Sequence, residues 1–196
     1  MFARLAGGVV LLAVLAGMSG GAFAAANFEE GHVVSPPAGF VDFCRRHADE
    51  CSARTAVPQS SHLTSARLAE LVRVQNTVNH AVTYRPDSFT FGKRDYWEIP
   101  FVYGDCEDIA LKKRRELVRL GWPREDLLLT LVGLPAGGLH VVLVVVTDHG
   151  DLVLDNLHRK VTVPGRLNYR WLSRQSRRNE STWVAIAAGR VANAPL

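Results

Sequence analysis

The stretch Gly104-Asp105-Cys106-Glu107-Asp108 decides the fold, together with residues 109–121 (IALKKRRELVRLG) that follow it. The second part predicts an amphipathic helix, because few of its residues are β-branched and a glycine follows its last turn. Asp105 is predicted to be the N-cap, and Asp108, three residues later, would complete a capping box. Cys106 is then the first residue of the helix.

A cysteine at this position has two interpretations. At helical spacing Cys106 shares one face with Ala110 and Leu117, so its thiol should point toward packed protein. Free backbone N–H groups and the helix dipole at that end favour a thiolate, which a nucleophilic cysteine needs. A cysteine on an apolar helix face is also an ordinary small core residue. The helix alone does not decide between the two.

Two polar residues further along the chain favour the chemical interpretation. His140 lies at the start of the apolar run 139–146, and Asp155 lies in the apolar segment 152–157. Polar residues in buried strands destabilise the fold unless they are paired. A turn centred on Asp148 and His149 would place Asp155 opposite Val142 and diagonally next to His140. A bulge at Gly150 is the alternative, and it would shift this register. Cysteine, histidine and aspartate supply a nucleophile, a base and an orienting carboxylate.

The first residues are predicted to be a signal peptide. Residues 1–4 form a short basic start, residues 5–18 are apolar, and Ala22-Phe23-Ala24 fits a signal-peptidase site. We therefore expect residues 1–24 to be removed and residues 25–196 to form one domain, located in the periplasm or secreted. An uncleaved N-terminal anchor is the alternative, although the apolar part is short for a membrane span.

The chain has three cysteines, and two of them are close in sequence. In an exported protein, Cys44 and Cys51 are most simply a local disulfide, which leaves Cys106 as the free thiol. Free thiols are a second possibility. A zinc site that uses Cys44, His47 and Cys51 is a third, but it lacks a convincing fourth ligand.

The rest of the chain predicts a mixture of helices and strands. Residues 25–62 are predicted to be loop-like because they are rich in proline and glycine. Residues 64–82 predict a helix with a connected face formed by Leu68, Leu71, Val72, Gln75 and Val78 or Asn79. Strands are predicted at residues 127–133, 139–146, 152–157, 169–171 and 182–187.

Two further groups of residues have both a functional and a structural interpretation. The aromatic side chains in residues 88–103 could wall a substrate cleft or simply pack the loop onto the core. The arginines in residues 166–178 could meet an acidic partner or an anionic surface, but we predict a solvated basic face.

These motifs together resemble the bacterial transglutaminase-like cysteine peptidases, a group that includes the adhesin-releasing periplasmic proteases of the LapG type. The resemblance implies an α+β, papain-like core in which the nucleophile helix packs on an antiparallel β-sheet. It also implies that Cys106 is the nucleophile, that His140 is the general base and then the acid, and that Asp155 fixes the imidazole. The similar segments are residues 43–51, Tyr84-Arg85-Pro86-Asp87, Asp95-Tyr96-Trp97, Gly104 to Asp108, Val153-Leu154-Asp155-Asn156-Leu157 and Arg174-Gln175-Ser176.

The resemblance also raises the question of a metal. Some members of the group bind calcium beside the nucleophile through acids equivalent to Asp105 and Glu107. A hard divalent cation would offset the negative charge that otherwise disfavours a thiolate at Cys106. The alternative is that Asp105 only caps the helix and Asp108 pairs with Lys112. No other cofactor is implied.

Trp97 lies upstream of the predicted nucleophile. It is a candidate for a second oxyanion donor beside the Cys106 backbone N–H, or for the wall of the cleft, and packing is the favoured role.

We therefore predict a cysteine endopeptidase that cleaves a peptide bond in a cell-envelope or surface protein through an acyl-enzyme. The expected partner is that protein substrate. Nucleic acid is not expected as a partner, nor is a transmembrane anchor after signal cleavage. The same three residues would also serve an amidase or a transglutaminase-type acyl transfer. A non-catalytic binding module on the same fold is the remaining alternative, and the presence of all three residues disfavours it.

Overall fold

A six-stranded antiparallel sheet with helices packed on one face forms the fold. The structure is a computed structural model that describes residues 27–51 and 60–187. The predicted signal peptide at residues 1–24 lies outside the described residues. None of the helices in the described ranges has both the length and the apolar character needed to cross a membrane.

The strands are β1 (Glu30–Val34), β2 (Thr83–Tyr84), β3 (Tyr103–Gly104), β4 (Leu127–Gly133), β5 (Leu139–Thr147), β6 (Gly150–Leu154), β7 (Arg170–Ser176) and β8 (Asn179–Ile186). Three single turns of 3₁₀-helix complete the connections, at Ala48–Glu50, Arg124–Asp126 and Pro164–Arg166. The helices are α1 (Ala38–Arg46), α2 (Ser65–Ala81), α3 (Asp87–Thr90) and α4 (Cys106–Arg119). The strand order in the main sheet is β1-β8-β7-β4-β5-β6, and β2 and β3 form a separate parallel pair.

Strand β5 is central because both of its faces are buried. Val141, Leu143 and Val145 face the helices and join the larger core, while Val142 and Val144 face the other side. Burying one aliphatic side chain contributes about 1.5 to 3 kcal/mol, so this strand anchors both layers. Helix α4 packs directly on β5. The predicted α+β class, with this helix on an antiparallel sheet, is confirmed.

The hairpin between β5 and β6 has the predicted register. Thr147 pairs with Gly150 across a turn formed by Asp148 and His149, and Leu143 pairs with Leu154. Gly150 has φ of +100°, a conformation that glycine adopts without strain. The residue after Leu154 therefore comes opposite Val142, as predicted for Asp155.

The prediction that residues 25–62 are loop-like is wrong in part. Strand β1 pairs with β8 through a bulge, and helix α1 begins directly after Pro37. Proline is well tolerated at the start of a helix, so the proline-rich stretch marks the beginning of α1 rather than its absence. Strand β1 lacks an alternating pattern because it is a short edge strand, and only Gly31 and Val34 of it are half-buried.

Helix α2 has the predicted position and is capped by Thr64, whose hydroxyl accepts from the Arg67 backbone N–H. Its buried face agrees only in part with the predicted one, because Leu71, Gln75 and Val78 are buried as expected. Leu68 and Val72 are 41% and 42% exposed. The buried residues are Leu71, Val74, Gln75 and Val78. The periodicity in the sequence thus placed Leu68 and Val72 on the packed face, whereas the face that packs on α4 is narrower and leaves both exposed.

Cys44 and Cys51 are joined in a disulfide, as predicted, and Cys106 is free. The zinc alternative receives no support, because His47 faces Glu98, with its Nε2 atom 3.0 Å from a carboxylate oxygen. The disulfide joins the end of α1 to Cys51, which directly follows the 3₁₀ turn at Ala48–Glu50.

Glu50, beside Cys51, is only 5% exposed and gathers three arginines. Arg124 donates to one carboxylate oxygen at 2.6 Å, and Arg115 donates to the other at 3.0 Å. The buried Arg114 lies 3.5 Å from the same carboxylate and donates to the Glu50 carbonyl at 3.0 Å. Burial alone would raise the Glu50 pKa, but the three cations outweigh it and the pKa is lowered. This carboxylate connects the disulfide loop to α4, which carries Arg114 and Arg115.

The predicted solvated basic face in residues 166–178 is only partly present. Arg174 is 3% exposed and donates to the Phe28 carbonyl at 2.7 Å. Arg177 donates to Asp126, which is fully buried. These arginines tie strand β7 and its turn to neighbouring segments, so they are structural.

Candidate active site

Cys106 is the first residue of α4 and lines an open cleft of about 560 Å³. Strand β3 leads into helix α4, and Gly104 at the end of β3 packs against the first turn of α4. A Cβ atom at Gly104 would lie 2.7 Å from the Asp108 Cβ, which is too close. A glycine is therefore required for the chain to turn so tightly into α4.

His140, at the start of β5, lines the same cleft. Its Nε2 atom lies 2.8 Å from Asp155 Oδ1, and both residues are buried. This arrangement leaves Nδ1 as the ring nitrogen not used by Asp155. Because α4 packs on β5, Cys106 is brought next to the beginning of that strand, and the Val141 backbone N–H interacts with its sulfur. The structure thus gathers Cys106, His140 and Asp155 at one end of the sheet.

The Cys106 thiol is not in a thiolate-favouring environment in this state. Burial raises its pKa, and the negative charge of Glu107 raises it further. The thiol donates to Glu107 Oε2 at 3.0 Å. The helix dipole, equivalent to about half a charge, is therefore outweighed. The resting thiol is held by a carboxylate and remains protonated.

Three carboxylates form a cluster beside the thiol. Oxygen atoms of Asp87, Asp105 and Glu107 all lie within 4.8 Å of one another. Asp105 Oδ2 accepts from the Asp87 backbone N–H at 3.2 Å, but Oδ1 of each aspartate is buried and accepts no hydrogen bond from the described residues. Burial and the charge of Asp105 raise the Glu107 pKa to about 8. Burial is also the main reason that the Asp87 pKa is raised to about 6.

This cluster fits a hard divalent cation, which prefers several carboxylate oxygens. A cation would supply the partner that the two orphaned oxygens lack. Asp105 and Glu107 were predicted from the sequence, but Asp87 was not. Asp87 is the last residue of the segment Tyr84-Arg85-Pro86-Asp87, which resembles the family. That resemblance is the feature of the sequence that could have identified Asp87 as a ligand.

The predicted capping box is wrong. Asp105 occupies the N-cap position, but its side chain makes no capping hydrogen bond. Asp108 Oδ1 accepts from the Glu98 backbone N–H at 2.7 Å, so Asp108 ties the preceding loop to the helix. The alternative pairing of Asp108 with Lys112 is also absent, because Lys112 pairs with Glu116 at 3.4 Å. The acids in the first turn therefore serve the loop and the cluster rather than the helix end.

Trp97 lines the cleft and is 2% exposed. Its ring packs edge-on against Phe40 and Trp183. Its Nε1 donates to Asp95 Oδ1 at 2.8 Å, and Asp95 Oδ2 accepts from the Gly39 backbone N–H at 2.9 Å. The indole N–H is thus occupied and does not offer a free donor for an oxyanion. Trp97 forms part of the wall, in agreement with the packing role that the sequence favoured.

Comparison with known proteins gives one family and one set of similar structures. A profile described as "Bacterial transglutaminase-like cysteine proteinase BTLCP" matches residues 30–191. LapG from Legionella pneumophila is similar in structure, with 28% identity and a TM-score of 0.51 over 59% of this chain and 66% of LapG. The match thus spans slightly less than two thirds of that chain.

Two further LapG structures are also similar, one with calcium bound and one treated with EGTA. Calcium-bound Legionella pneumophila LapG matches with 27% identity and a TM-score of 0.52, over 65% of this chain and 74% of LapG. EGTA-treated LapG matches with 28% identity and a TM-score of 0.51, over 60% and 66%. No curated protein sequence matches the chain.

Proposed function

The chain belongs to the family of bacterial transglutaminase-like cysteine proteinases, and from this premise we propose that it is an endopeptidase acting on a protein of the bacterial cell envelope or surface. The family resemblance and the α+β papain-like fold expected from the sequence are confirmed. One observation carries the proposal for this chain. Cys106 and His140 line one cleft, and Asp155 is hydrogen-bonded to the far nitrogen of the His140 ring.

Each of these residues has a role in the proposed reaction. Asp155 accepts the Nε2–H of His140, so Nδ1 is the nitrogen that takes the Cys106 proton. The sulfur then attacks the carbonyl carbon of the substrate. The backbone N–H of Cys106, in the first turn of α4, has no intrahelical acceptor and can donate to the developing oxyanion.

The intermediate collapses when the C–N bond breaks. His140 returns its proton to the departing amine, and the acyl group stays on the Cys106 sulfur. His140 then accepts a proton from a water molecule, whose oxygen attacks the thioester carbon. Release of the carboxylic acid returns the proton to the thiol.

Calcium is the metal we propose for the carboxylate cluster. Asp87, Asp105 and Glu107 would hold it, and the calcium-bound form of LapG supports the choice. When bound, the ion would supply positive charge that neutralises the carboxylates around the thiol. Glu107 would then no longer accept from Cys106, and the thiol would be free to donate to His140.

The cleft favours an extended polypeptide as substrate. It is open rather than enclosed, and its lining includes the apolar residues Pro36, Pro37, Leu131 and Leu139. Leu139 is 63% exposed at the cleft edge, next to His140. An open groove with apolar and charged lining suits a flexible segment of a larger protein better than a small molecule, which a concave pocket would bury.

The test compares cell-envelope proteins from cells that express the wild-type chain with those from cells that express Cys106→Ser. We expect at least one envelope or surface protein to carry a new N-terminus in the wild-type sample alone, measured by N-terminal labelling and mass spectrometry. Identical sets of N-termini in the two samples would refute the proposed proteolysis.

Export to the envelope is also part of the proposal. We expect the mature protein to begin close to Ala25, because Ala22-Phe23-Ala24 fits a signal-peptidase site. N-terminal sequencing of the protein from the periplasmic and medium fractions measures this. Recovery of the intact Met1 terminus in those fractions would show that the leader is retained.

A further inference from the structure

The Asp155 carboxylate accepts four hydrogen bonds, more than its contact with His140 requires. Oδ1 accepts from His140 Nε2 at 2.8 Å and from the Leu157 backbone N–H at 2.9 Å. Oδ2 accepts from the Tyr169 hydroxyl at 2.6 Å and lies 2.8 Å from His158 Nδ1. Asp155 is 1% exposed, so these donors replace water almost completely. A carboxylate has about four acceptor sites, and all of them are used.

The backbone around Asp155 is held from the opposite side by α2. The Gln75 side-chain amide donates to the Asp155 and His158 carbonyls, both at 2.7 Å. Asn79 donates to the same two carbonyls at 3.1 and 3.2 Å. These bonds fix the main chain of the turn, but they do not fix rotation of the carboxylate about its Cβ–Cγ bond. Among the described residues, the donors on Oδ1 and Oδ2 are the hydrogen-bond partners that restrain that rotation.

We propose that Tyr169 and His158 are positioning residues that hold Oδ2 of Asp155, so that Oδ1 stays directed at His140 Nε2. The proposal rests on the proposed function, in which His140 is the base. If Oδ2 lost both donors, the carboxylate could turn away and His140 could adopt the wrong tautomer. A histidine in the wrong tautomer cannot accept the thiol proton through Nδ1.

The geometry of Tyr169 suits this role. Its ring packs edge-on against both histidines, with ring centres 6.0 Å from His140 and 5.9 Å from His158. The Trp171 ring also packs edge-on against the Tyr169 ring, with ring centres 6.0 Å apart. Burial and the hydrogen bond to Asp155 raise the Tyr169 pKa, so the phenol keeps its proton and remains a donor.

The charges around Asp155 also agree with a permanently ionised carboxylate. Burial would raise its pKa, but the hydrogen bonds and charge of His140, with Tyr169 and Leu157, lower it. Lys113, which is 1% exposed on α4, contributes an attractive charge, although its own pKa is lowered to about 7 by burial. A fixed negative charge with a fixed orientation is what an imidazolium partner requires.

The experiment uses Tyr169→Phe, His158→Ala and the double variant in the full-length protein. Histidine ring ¹⁵N resonances report the His140 tautomer, with assignment by comparison with His140→Ala. We expect wild type to show a protonated Nε2 and an unprotonated Nδ1 when the ring is neutral. Each single variant should keep this tautomer, because one donor remains on Oδ2. The double variant should show a mixture of tautomers.

The rate of p-nitrophenyl acetate hydrolysis provides the second measurement. We expect each single change to reduce kcat about threefold and the double change to reduce it about 30-fold or more, which exceeds the product of the two. Tyr103→Phe is the matched control, since no described hydrogen bond uses that hydroxyl, and it should leave the rate unchanged. His158 is 45% exposed at its side chain, so His158→Ala should fold even if Tyr169→Phe does not.

An unchanged His140 spectrum in the double variant would overturn the proposal. So would a double-variant rate equal to the product of the single effects. The proposed function fails separately, if Cys106→Ser retains the esterase activity of the wild type. The His140 spectrum tests the positioning role whether or not the protein is a cysteine peptidase, because the tautomer is measured without turnover.

Discussion

Cys106→Ser is expected to reduce peptidase activity by at least about 10³-fold, because a serine hydroxyl beside this imidazole is a far weaker nucleophile than a thiol. The measurement is kcat/KM on the envelope protein, or on a peptide that spans its cleavage site. His140→Ala should cause a loss of the same order, because it removes the base that takes the thiol proton in the proposed mechanism. The two losses should not multiply in the double variant, since both residues act in one step.

Asp155→Asn extends this prediction to the third residue. The amide is nearly isosteric with the carboxylate, so the fold should remain while kcat falls by about 10² to 10⁴-fold through misorientation of His140. His80→Ala, an exposed histidine on α2, is the control and should retain full activity. Circular dichroism and thermal melting establish that each variant is folded. Substantial activity in folded Cys106→Ser would eliminate the cysteine mechanism.

Calcium is expected to raise the melting temperature of the protein, and chelation with EGTA should reverse this. At a calcium concentration 100 times its dissociation constant, binding stabilises the folded state by about 2.7 kcal/mol. For a domain of this size that corresponds to roughly 5 to 10 °C. Asp87→Asn should weaken calcium binding at least tenfold, measured by titration calorimetry, because it removes one of three charged ligands.

The same titration should depend on pH. Glu107, with a pKa of about 8, and Asp87, with a pKa of about 6, hold protons that a cation must displace. Affinity should therefore fall as pH is lowered from 8 to 6, and binding at pH 7 should release protons to the buffer. The exposed Asp49→Asn is the matched control and should bind as wild type does. A melting curve that calcium does not move would remove calcium from the site.

The parts of the fold that the sequence predicted are those set by local rules. Helix α4 follows from periodicity and from Gly121, and the β5–β6 hairpin follows from two apolar runs around a short turn. Once that turn is located, the register of Asp155 against His140 is fixed by counting residues. The site residues could therefore be named before their distances were known.

The remaining parts depend on contacts distant in sequence. Asp87 joins the carboxylate cluster only because β2 pairs with β3, which brings residues 18 positions apart together. Tyr169 reaches Asp155 from the segment before β7. The capping interpretation of Asp105 and Asp108 failed for a related reason. Local patterns favour a cap, but the loop and the neighbouring acids compete for the same oxygens.

The convergence of three arginines on Glu50 has a consequence for the order in which the chain assembles. The disulfide closes a loop with a sequence separation of only 7, which stabilises the fold by about 2 to 3 kcal/mol. It also holds Glu50 in place, and the carboxylates of Glu50 and Glu180 together offset the charge of the buried Arg114 on α4. Before oxidation, one of the two carboxylates that offset this charge on the Cys106 helix is thus less firmly held. Reduction of the Cys44–Cys51 disulfide should therefore lower the stability of the region around α4.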